Sequence, residues 1–136
     1  MDKILVVDDE ENVRLILQQV FSDYPVITAT EGETALRLIA SERPAVVLLD
    51  MKMPSMGGLQ VLAALKTLPY RPIIFMLTGE DDLDTAVKTL ELGARGYLTK
   101  PFDVDQLRNV VLSALVEREK DKTILDKPWT VIKKDG

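Results

Sequence analysis

Polar side chains follow short apolar runs of the sequence, at positions where they could bind a phosphate or a metal. Asp8 and Asp9 follow the first run, Asp50 the third, Thr78 the fourth, and Lys100 lies just after the fifth. Ligands of open α/β sheets bind beyond the carboxyl ends of the strands, so these groups are expected on one rim. Because an acidic cluster without nitrogen or sulfur ligands suits a hard divalent cation, Asp8, Asp9 and Asp50 predict a Mg²⁺ site, with Mn²⁺ as an alternative.

The same rim could transfer phosphoryl groups. Two carboxylates about 4 Å apart repel each other by roughly 4 kcal/mol at an effective dielectric constant of about 20, which a metal and Lys100 would offset. A carboxylate beside a metal can attack phosphorus and form an aspartyl phosphate, with Thr78 and Lys100 binding the phosphoryl oxygens. Other roles stay open for single residues: Asp9 and Thr78 as helix caps, and Lys100 as a solvated surface lysine.

The composition restricts the remaining function classes. The 136 residues suffice for one domain, and the net charge of −5 opposes binding to nucleic acid or to an anionic membrane. The absence of Cys and His excludes disulfides, thiolate or imidazole metal sites and Ser-His-Asp catalysis. No apolar run is long enough for a membrane span and the first residues fit no signal peptide, so a cytoplasmic location is expected.

The elements that must position the rim alternate along the chain. Segments with helical spacing of apolar residues separate the apolar runs, in the order βα repeated five times. The pattern predicts an α/β fold with a parallel sheet covered by helices on both faces, but does not give the strand order. The predicted strands are Ile4 to Val7, Val26 to Ala29, Val46 to Leu49, Ile73 to Leu77 and Tyr97 to Leu98.

The chain is predicted to comprise a domain over residues 1–119 and a tail over residues 120–136. Apolar periodicity stops near residue 119, and the tail mixes charges with one apolar patch, Trp129 to Ile132. A frayed extension and a linker or docking segment both remain open for the tail.

Four stretches make the sequence resemble the receiver domain of two-component response regulators, similar to the chemotaxis-type single-domain regulators. They are ILVVDDEENVR (4–14), VVLLDMKMPSMGGLQVL (46–62), MLTGE (76–80) and GARGYLTKPFD (93–103). The resemblance covers about residues 2–119 and implies a flavodoxin-like, doubly wound (βα)₅ fold with strand order 2-1-3-4-5.

The resemblance also implies a role for each residue of the rim. Asp50 matches the phosphoacceptor, and Mg²⁺ would be held by Asp8, Asp9, Asp50 and the backbone carbonyl of Lys52. Thr78 and Lys100 would bind the phosphoryl group, which Gly79 leaves room for, and Tyr97 matches the switch aromatic that turns inward when Thr78 moves. The Lys100-Pro101 bond matches one that the family holds cis.

Two positions that vary within the family flank the site with opposite charges. We hypothesise that Lys52 and Glu80 pair across the phosphoryl group and slow its hydrolysis; two solvated side chains are the alternative.

Partners follow from the resemblance as well. A histidine kinase or histidine phosphotransfer protein would dock on the first helix, and a downstream protein or output domain on the fourth helix, fifth strand and fifth helix. A homodimer formed on phosphorylation is possible, with inter-subunit ion pairs from Lys88, Glu91 and Arg108. Direct binding of this chain to nucleic acid or to a membrane is not expected.

Other classes of function compete with a phosphorylated switch. The chain could be the receiver fragment of a longer transcription regulator, or a degenerate receiver used as a scaffold. A phosphatase of the haloacid dehalogenase type would need an acid two residues after the nucleophile, where Lys52 stands. The chain is therefore expected to catalyse only its own phosphorylation and dephosphorylation, rather than to act as an enzyme on other substrates.

Overall fold

The computed structural model describes the backbone of residues 2–125 and the side chains of residues 2–119 other than Glu80. Five parallel strands form one sheet in the order β2-β1-β3-β4-β5. This order confirms the flavodoxin-like topology. The strands are β1 (Ile4–Val7), β2 (Val26–Ala29), β3 (Val46–Asp50), β4 (Ile73–Thr78) and β5 (Gly96–Thr99).

Five helices connect and follow the described strands. They are α1 (Glu11–Val20), α2 (Gly32–Glu42), α3 (Gly58–Ala64), α4 (Leu83–Glu91) and α5 (Val104–Leu125). Two short 3₁₀ turns, Leu65–Thr67 and Glu80–Asp82, precede β4 and α4. Among the described residues, no helix is long and apolar enough to cross a membrane.

The central strands are buried on both faces, as their unbroken apolar runs predict. In β1, Leu5 and Val7 pack in the cluster formed with α2 and α3, whereas Ile4 and Val6 pack in the cluster formed with α1 and α5. Every residue of β1 and β3 is buried. The sheet is therefore held rigidly from both sides, and the ends of β1 and β3 form a fixed base for the rim.

Helix α5 continues to Leu125, past the boundary that the loss of apolar periodicity predicted after residue 119. Arg118 of this helix donates hydrogen bonds to the carbonyl of Ala45 (2.9 Å) and to the hydroxyl of Tyr70 (2.8 Å). These bonds attach α5 to the segments that precede β3 and β4. The rest of the predicted tail, including Trp129 to Ile132, lies outside the described residues.

Candidate functional site

The topology places two carboxylates side by side at the centre of the rim. Strands β1 and β3 are neighbours, with Val7 opposite Leu49, so that Asp8 and Asp50 come next to each other at the strand ends. Asp8 is 0% exposed and Asp50 is 5% exposed. Charged groups are seldom so deeply buried without a cation nearby, and their burial at this switch point marks the rim as a candidate site.

Lys100 supplies a cation to both carboxylates. Its Nζ lies 2.9 Å from Oδ2 of Asp8, 3.6 Å from Oδ1 of Asp50 and 3.4 Å from Oε1 of Glu10. The residue follows β5 directly, where its backbone N–H donates to the carbonyl of Thr78 (2.8 Å), and the bond from Lys100 to Pro101 is cis as expected. From the end of β5, the ammonium of Lys100 therefore reaches the acids at the ends of β1 and β3.

The electrostatics of the rim favour a proton or a cation at Asp50. Burial raises the pKa of Asp50 from 3.8 to about 7, and the charge of Asp8 adds to this effect, while Lys100 opposes it. Burial works against the charge of Lys100, but its bond to Asp8 and its proximity to Asp50 raise the pKa of the ammonium overall. One lysine therefore does not fully compensate the two buried acids.

The donor atoms beside Lys100 fit a divalent cation. Carboxylate oxygens of Asp8, Asp9 and Glu10 lie within 4.8 Å of one another, and Asp9 and Glu10 face solvent. Oδ2 of Asp8 is buried and lies 2.9 Å from the ammonium of Lys100. Oδ1 accepts the backbone N–H of Glu10 (2.9 Å), which fixes the carboxylate. A cluster of carboxylate oxygens that is partly buried and partly open to solvent is the kind of donor set that a hard divalent cation prefers.

Lys52 contributes to the site through its backbone and its side chain in different ways. Its backbone N–H donates to Oδ1 of Asp50 (3.3 Å). Its Nζ lies 3.1 Å from Oδ2 of Asp81 and 3.3 Å from Oδ1 of Asp82, both in the turn before α4. These contacts raise the pKa of Lys52, the bond to Asp81 having the larger effect. The hypothetical partner Glu80 has a side chain outside the described residues.

Thr78 and Gly79 lie where the sequence placed them, at the end of β4. Thr78 is buried, and its hydroxyl donates to the carbonyl of Gly79 (3.1 Å). A Cβ at Gly79 would lie 2.8 Å from Oδ1 of Asp81, so the small residue makes room for that carboxylate. Tyr97 is half-buried on β5 and packs against the α2 and α3 cluster.

Sequence reasoning missed Glu10, Arg14, Asp81 and Asp82. Arg14 donates to the backbone carbonyl of Asp8 (2.8 Å), and Glu10 contacts Lys100. The run Asp8-Asp9-Glu10 was visible in the sequence, but its third member could equally have been a solvated acid in the first turn of a helix. The contacts of Asp81 and Asp82 depend on a turn that no apolar pattern predicts.

Helices α1 and α4 each expose apolar side chains. On α4, Val87 is 50% and Leu90 40% exposed, and on α1, Leu15 is 54% and Ile16 46% exposed. Arg108, considered above for an inter-subunit ion pair, binds Asp23 of its own chain through both carboxylate oxygens, at 3.0 and 2.7 Å.

The parallel sheet in this order, with buried acids and a lysine at its rim, defines a receiver-type α/β protein. The family model described as "Response regulator receiver domain" matches residues 4–112, and the chain belongs to this family.

Curated relatives include sporulation initiation phosphotransferase F of Bacillus subtilis (strain 168), 38% identical over 112 residues that cover 81% of this chain and 90% of the relative. Regulatory protein AtoC of Escherichia coli (strain K12) is 38% identical over 126 residues, 91% of this chain and 27% of the relative. The alkaline phosphatase synthesis transcriptional regulatory protein PhoP of Bacillus subtilis (strain 168) is 41% identical over 118 residues, 85% of this chain and 49% of the relative. The chain thus spans less than half the length of AtoC and of PhoP.

Solved structures agree with the relatives. The receiver domain of NtrX from Brucella abortus superposes with a TM-score of 0.77 at 33% identity, over 82% of this chain and 97% of that one. A response regulator receiver domain protein from Clostridium thermocellum gives a TM-score of 0.81 at 30% identity, over 88% of this chain and 98% of that one.

Proposed function

We propose that the chain is a phosphorylated switch in which Asp50 accepts the phosphoryl group. The observation that carries this proposal is the arrangement of Asp50, Asp8 and Lys100. A buried carboxylate lies beside a second acid, and one ammonium contacts both. Such a carboxylate has a nucleophilic oxygen, and a cation is already in place for the oxygens of an incoming phosphoryl group.

The transfer is a displacement at phosphorus. An oxygen of Asp50 forms a bond to the phosphorus of a phosphohistidine or a small acyl phosphate. The bond from phosphorus to the leaving nitrogen or oxygen breaks, and its electron pair departs with the donor. Lys100 neutralises charge on the phosphoryl oxygens, and Thr78 gives up its 3.1 Å bond to the Gly79 carbonyl to donate to one of them.

A magnesium ion fits the acidic side of the same site. Asp8 and Asp9 would hold the ion together with Asp50 and the backbone carbonyl of Lys52. The carboxylate of Glu10, within 4.8 Å of those of Asp8 and Asp9, would add negative charge beside them. When bound, the ion supplies positive charge to the phosphoryl oxygens during transfer. The raised pKa of Asp50 supports this assignment, because it shows that Lys100 alone does not compensate the buried acids.

The switch is a movement of Thr78 and Tyr97. A phosphoryl group adds roughly two negative charges and three acceptor oxygens, which draw the Thr78 hydroxyl away from its present partner. Tyr97 on the adjacent strand is half-buried, with Met76 of β4 opposite it, and can fill the space vacated beside the strand ends. The exposed surface of α4, β5 and α5 then differs between the two states.

Partners are proposed from the exposed faces. A histidine kinase or histidine phosphotransfer protein would dock over Leu15 and Ile16 of α1, and a downstream protein or output domain over α4, β5 and α5. Phosphorylation can also produce a homodimer through the second face, although Arg108 is engaged within the chain. The negative net charge argues against direct binding to nucleic acid or membranes and suits a cytoplasmic protein.

Two forms of the output remain in competition. The similarity to sporulation initiation phosphotransferase F, which the chain covers almost fully, favours a regulator acting through partner proteins. AtoC and PhoP, of which the chain covers 27% and 49%, favour a receiver joined to a transcriptional output. A degenerate scaffold receiver is disfavoured because Asp50, Asp8 and Lys100 are all present, and the ammonium of Lys100 contacts both carboxylates.

A transfer assay from a phosphorylated histidine phosphotransfer protein tests the proposal against an enzymatic function. We expect the wild-type chain to take up one phosphoryl group per molecule in the presence of Mg²⁺, and Asp50→Ala to take up none. Repeated turnover of a phosphomonoester substrate by the wild-type chain would instead indicate an enzyme and contradict the proposal.

A further inference from the structure

We propose that Asp81 and Asp82 act as positioning residues that hold Lys52 away from the phosphorylation site and thereby shorten the lifetime of the phosphoryl group. This inference rests on the function proposed above and concerns the regulation of the same site. Its observation is the bridge of Lys52 to Asp81 and Asp82, at 3.1 and 3.3 Å.

The bridge spans the mouth of the site between two adjacent strand ends. Lys52 lies two residues after the end of β3, and Asp81 and Asp82 lie in the turn that follows β4. Strands β3 and β4 are paired up to Asp50 and Leu77, so the bridge lies beside the phosphoacceptor. It joins the two loops between which the phosphoryl group would lie.

Lys52 is tethered close enough to reach that group. Its backbone N–H donates to Oδ1 of Asp50 (3.3 Å), which places the start of the side chain beside the carboxylate. The flexible four-carbon stem of lysine allows the ammonium to turn either toward Asp81 or toward Asp50. Its side chain is 68% exposed, so no packing prevents this rotation.

Gly79 supports the position of Asp81. Oδ1 of Asp81 occupies the space that a Cβ at Gly79 would approach to 2.8 Å, while Oδ2 faces Lys52. Asp82, with a side chain only 18% exposed, is the less mobile acceptor of the two. The turn before α4 therefore presents two anionic acceptors to the ammonium, Asp81 with a side chain 76% exposed and Asp82 with one mostly buried.

Phosphorylation creates a competing anion for Lys52. The phosphoryl group carries roughly two negative charges and three strong acceptor oxygens. Hydrolysis requires a water oxygen to bond to phosphorus on the side opposite the bond between phosphorus and the Asp50 oxygen. That bond breaks with its electron pair staying on the Asp50 carboxylate, and the protons of the water go to the released inorganic phosphate and to solvent. An ammonium on the phosphoryl oxygens occupies the solvent side from which that water arrives. Asp81 and Asp82 withdraw the ammonium and thus favour hydrolysis.

A double-substitution cycle on the full chain tests the inference. The double substitution of Asp81→Asn and Asp82→Asn removes the competing charges. Each variant is phosphorylated with acetyl phosphate and Mg²⁺, the donor is removed, and the loss of the phosphoryl group is followed over time by intact mass. We expect hydrolysis of the phosphoryl group to slow by about two- to fivefold, the range of exposed ion-pair energies. In a Lys52→Met background the same double substitution should change the hydrolysis rate by less than twofold.

The control is Asp84→Asn, which removes a nearby exposed acid of α4 without touching Lys52. It should leave the hydrolysis rate unchanged. Equal effects of the Asp81 and Asp82 substitutions with and without Lys52, no effect in either, or faster hydrolysis would overturn the inference alone. Absence of phosphoryl uptake in the wild-type chain would overturn the proposed function, and this inference with it.

Discussion

The ammonium of Lys100 lies 2.9 Å from Oδ2 of Asp8, a carboxylate with no solvent exposure at the end of the first strand. The same ammonium lies 3.6 Å from Asp50. Lys100 thus compensates buried charge in this structure, and in the proposed function the same ammonium would bind the phosphoryl oxygens.

Removing this cation is expected to destabilise the fold at neutral pH. Lys100→Met leaves Asp8 and Asp50 buried without their common partner, so the free energy of unfolding should fall by about 1–3 kcal/mol in urea denaturation at pH 7. Added Mg²⁺ should restore part of the loss. Lys100→Arg, which keeps the charge, is the control and should lose less; equal stability of the Met variant and the wild type would show that the ion pair is not needed.

The pH dependence of stability follows from Asp50. Its pKa is raised from 3.8 to about 7, so the folded chain keeps a proton that the unfolded chain releases. The ionised group therefore lowers the free energy of unfolding increasingly between about pH 4 and pH 7. Asp50→Asn should be more stable than the wild type by up to about 4 kcal/mol at pH 8 without divalent cations, and equally stable at about pH 3. A constant difference at all pH values would contradict the assignment.

Binding of Mg²⁺ should depend on Asp8 and Asp9 and should release protons. The ion requires deprotonated carboxylates, and the raised pKa of Asp50 means that binding near pH 6.5 displaces part of its proton. Calorimetry in buffers of different ionisation enthalpy measures this release. Asp8→Asn and Asp9→Asn should each weaken binding by about tenfold or more, whereas Asp105→Asn, an exposed acid of α5, should not. Unchanged affinity in the first two variants would place the ion elsewhere.

Gly58 allows the first turn of α3 to approach the end of β3, the strand that carries Asp50. A Cβ there would lie 2.4 Å from the backbone oxygen of Asp50 and 2.8 Å from Cε of Met76. Gly58→Ala should therefore lower the free energy of unfolding by about 1–3 kcal/mol and reduce the rate of phosphorylation, because the strand end must shift. Gly96→Ala, whose Cβ would meet only ordinary contacts at 3.5 Å, is the matched control. Equal behaviour of the two variants would refute the steric argument.

The sequence predicted the sheet and most of the rim because both follow from local patterns. Unbroken apolar runs mark β1 and β3 as buried on both faces, and the residues after such runs must lie at the strand ends. The strand order, however, required the resemblance to a known family, since no local signal says which strands are neighbours. The sheet confirms that order.

Side-chain partners were harder to predict than strand positions. The hypothesis for Lys52 named Glu80, yet the contacts described are with Asp81 and Asp82. Asp81 and Asp82 lie in a short 3₁₀ turn, and such a turn leaves no periodic trace in the sequence. The boundary after residue 119 was placed where apolar periodicity ends, and the backbone of α5 remains helical to Leu125.

The central claim is that Asp50 accepts a phosphoryl group, and intact mass spectrometry of the chain tests it most directly. The chain is incubated with acetyl phosphate with and without Mg²⁺, beside Asp50→Ala. We predict a labile gain of one phosphoryl group that requires both the ion and Asp50. An equal gain in Asp50→Ala, or no gain in the wild type from either acetyl phosphate or a phosphohistidine donor, would contradict the claim.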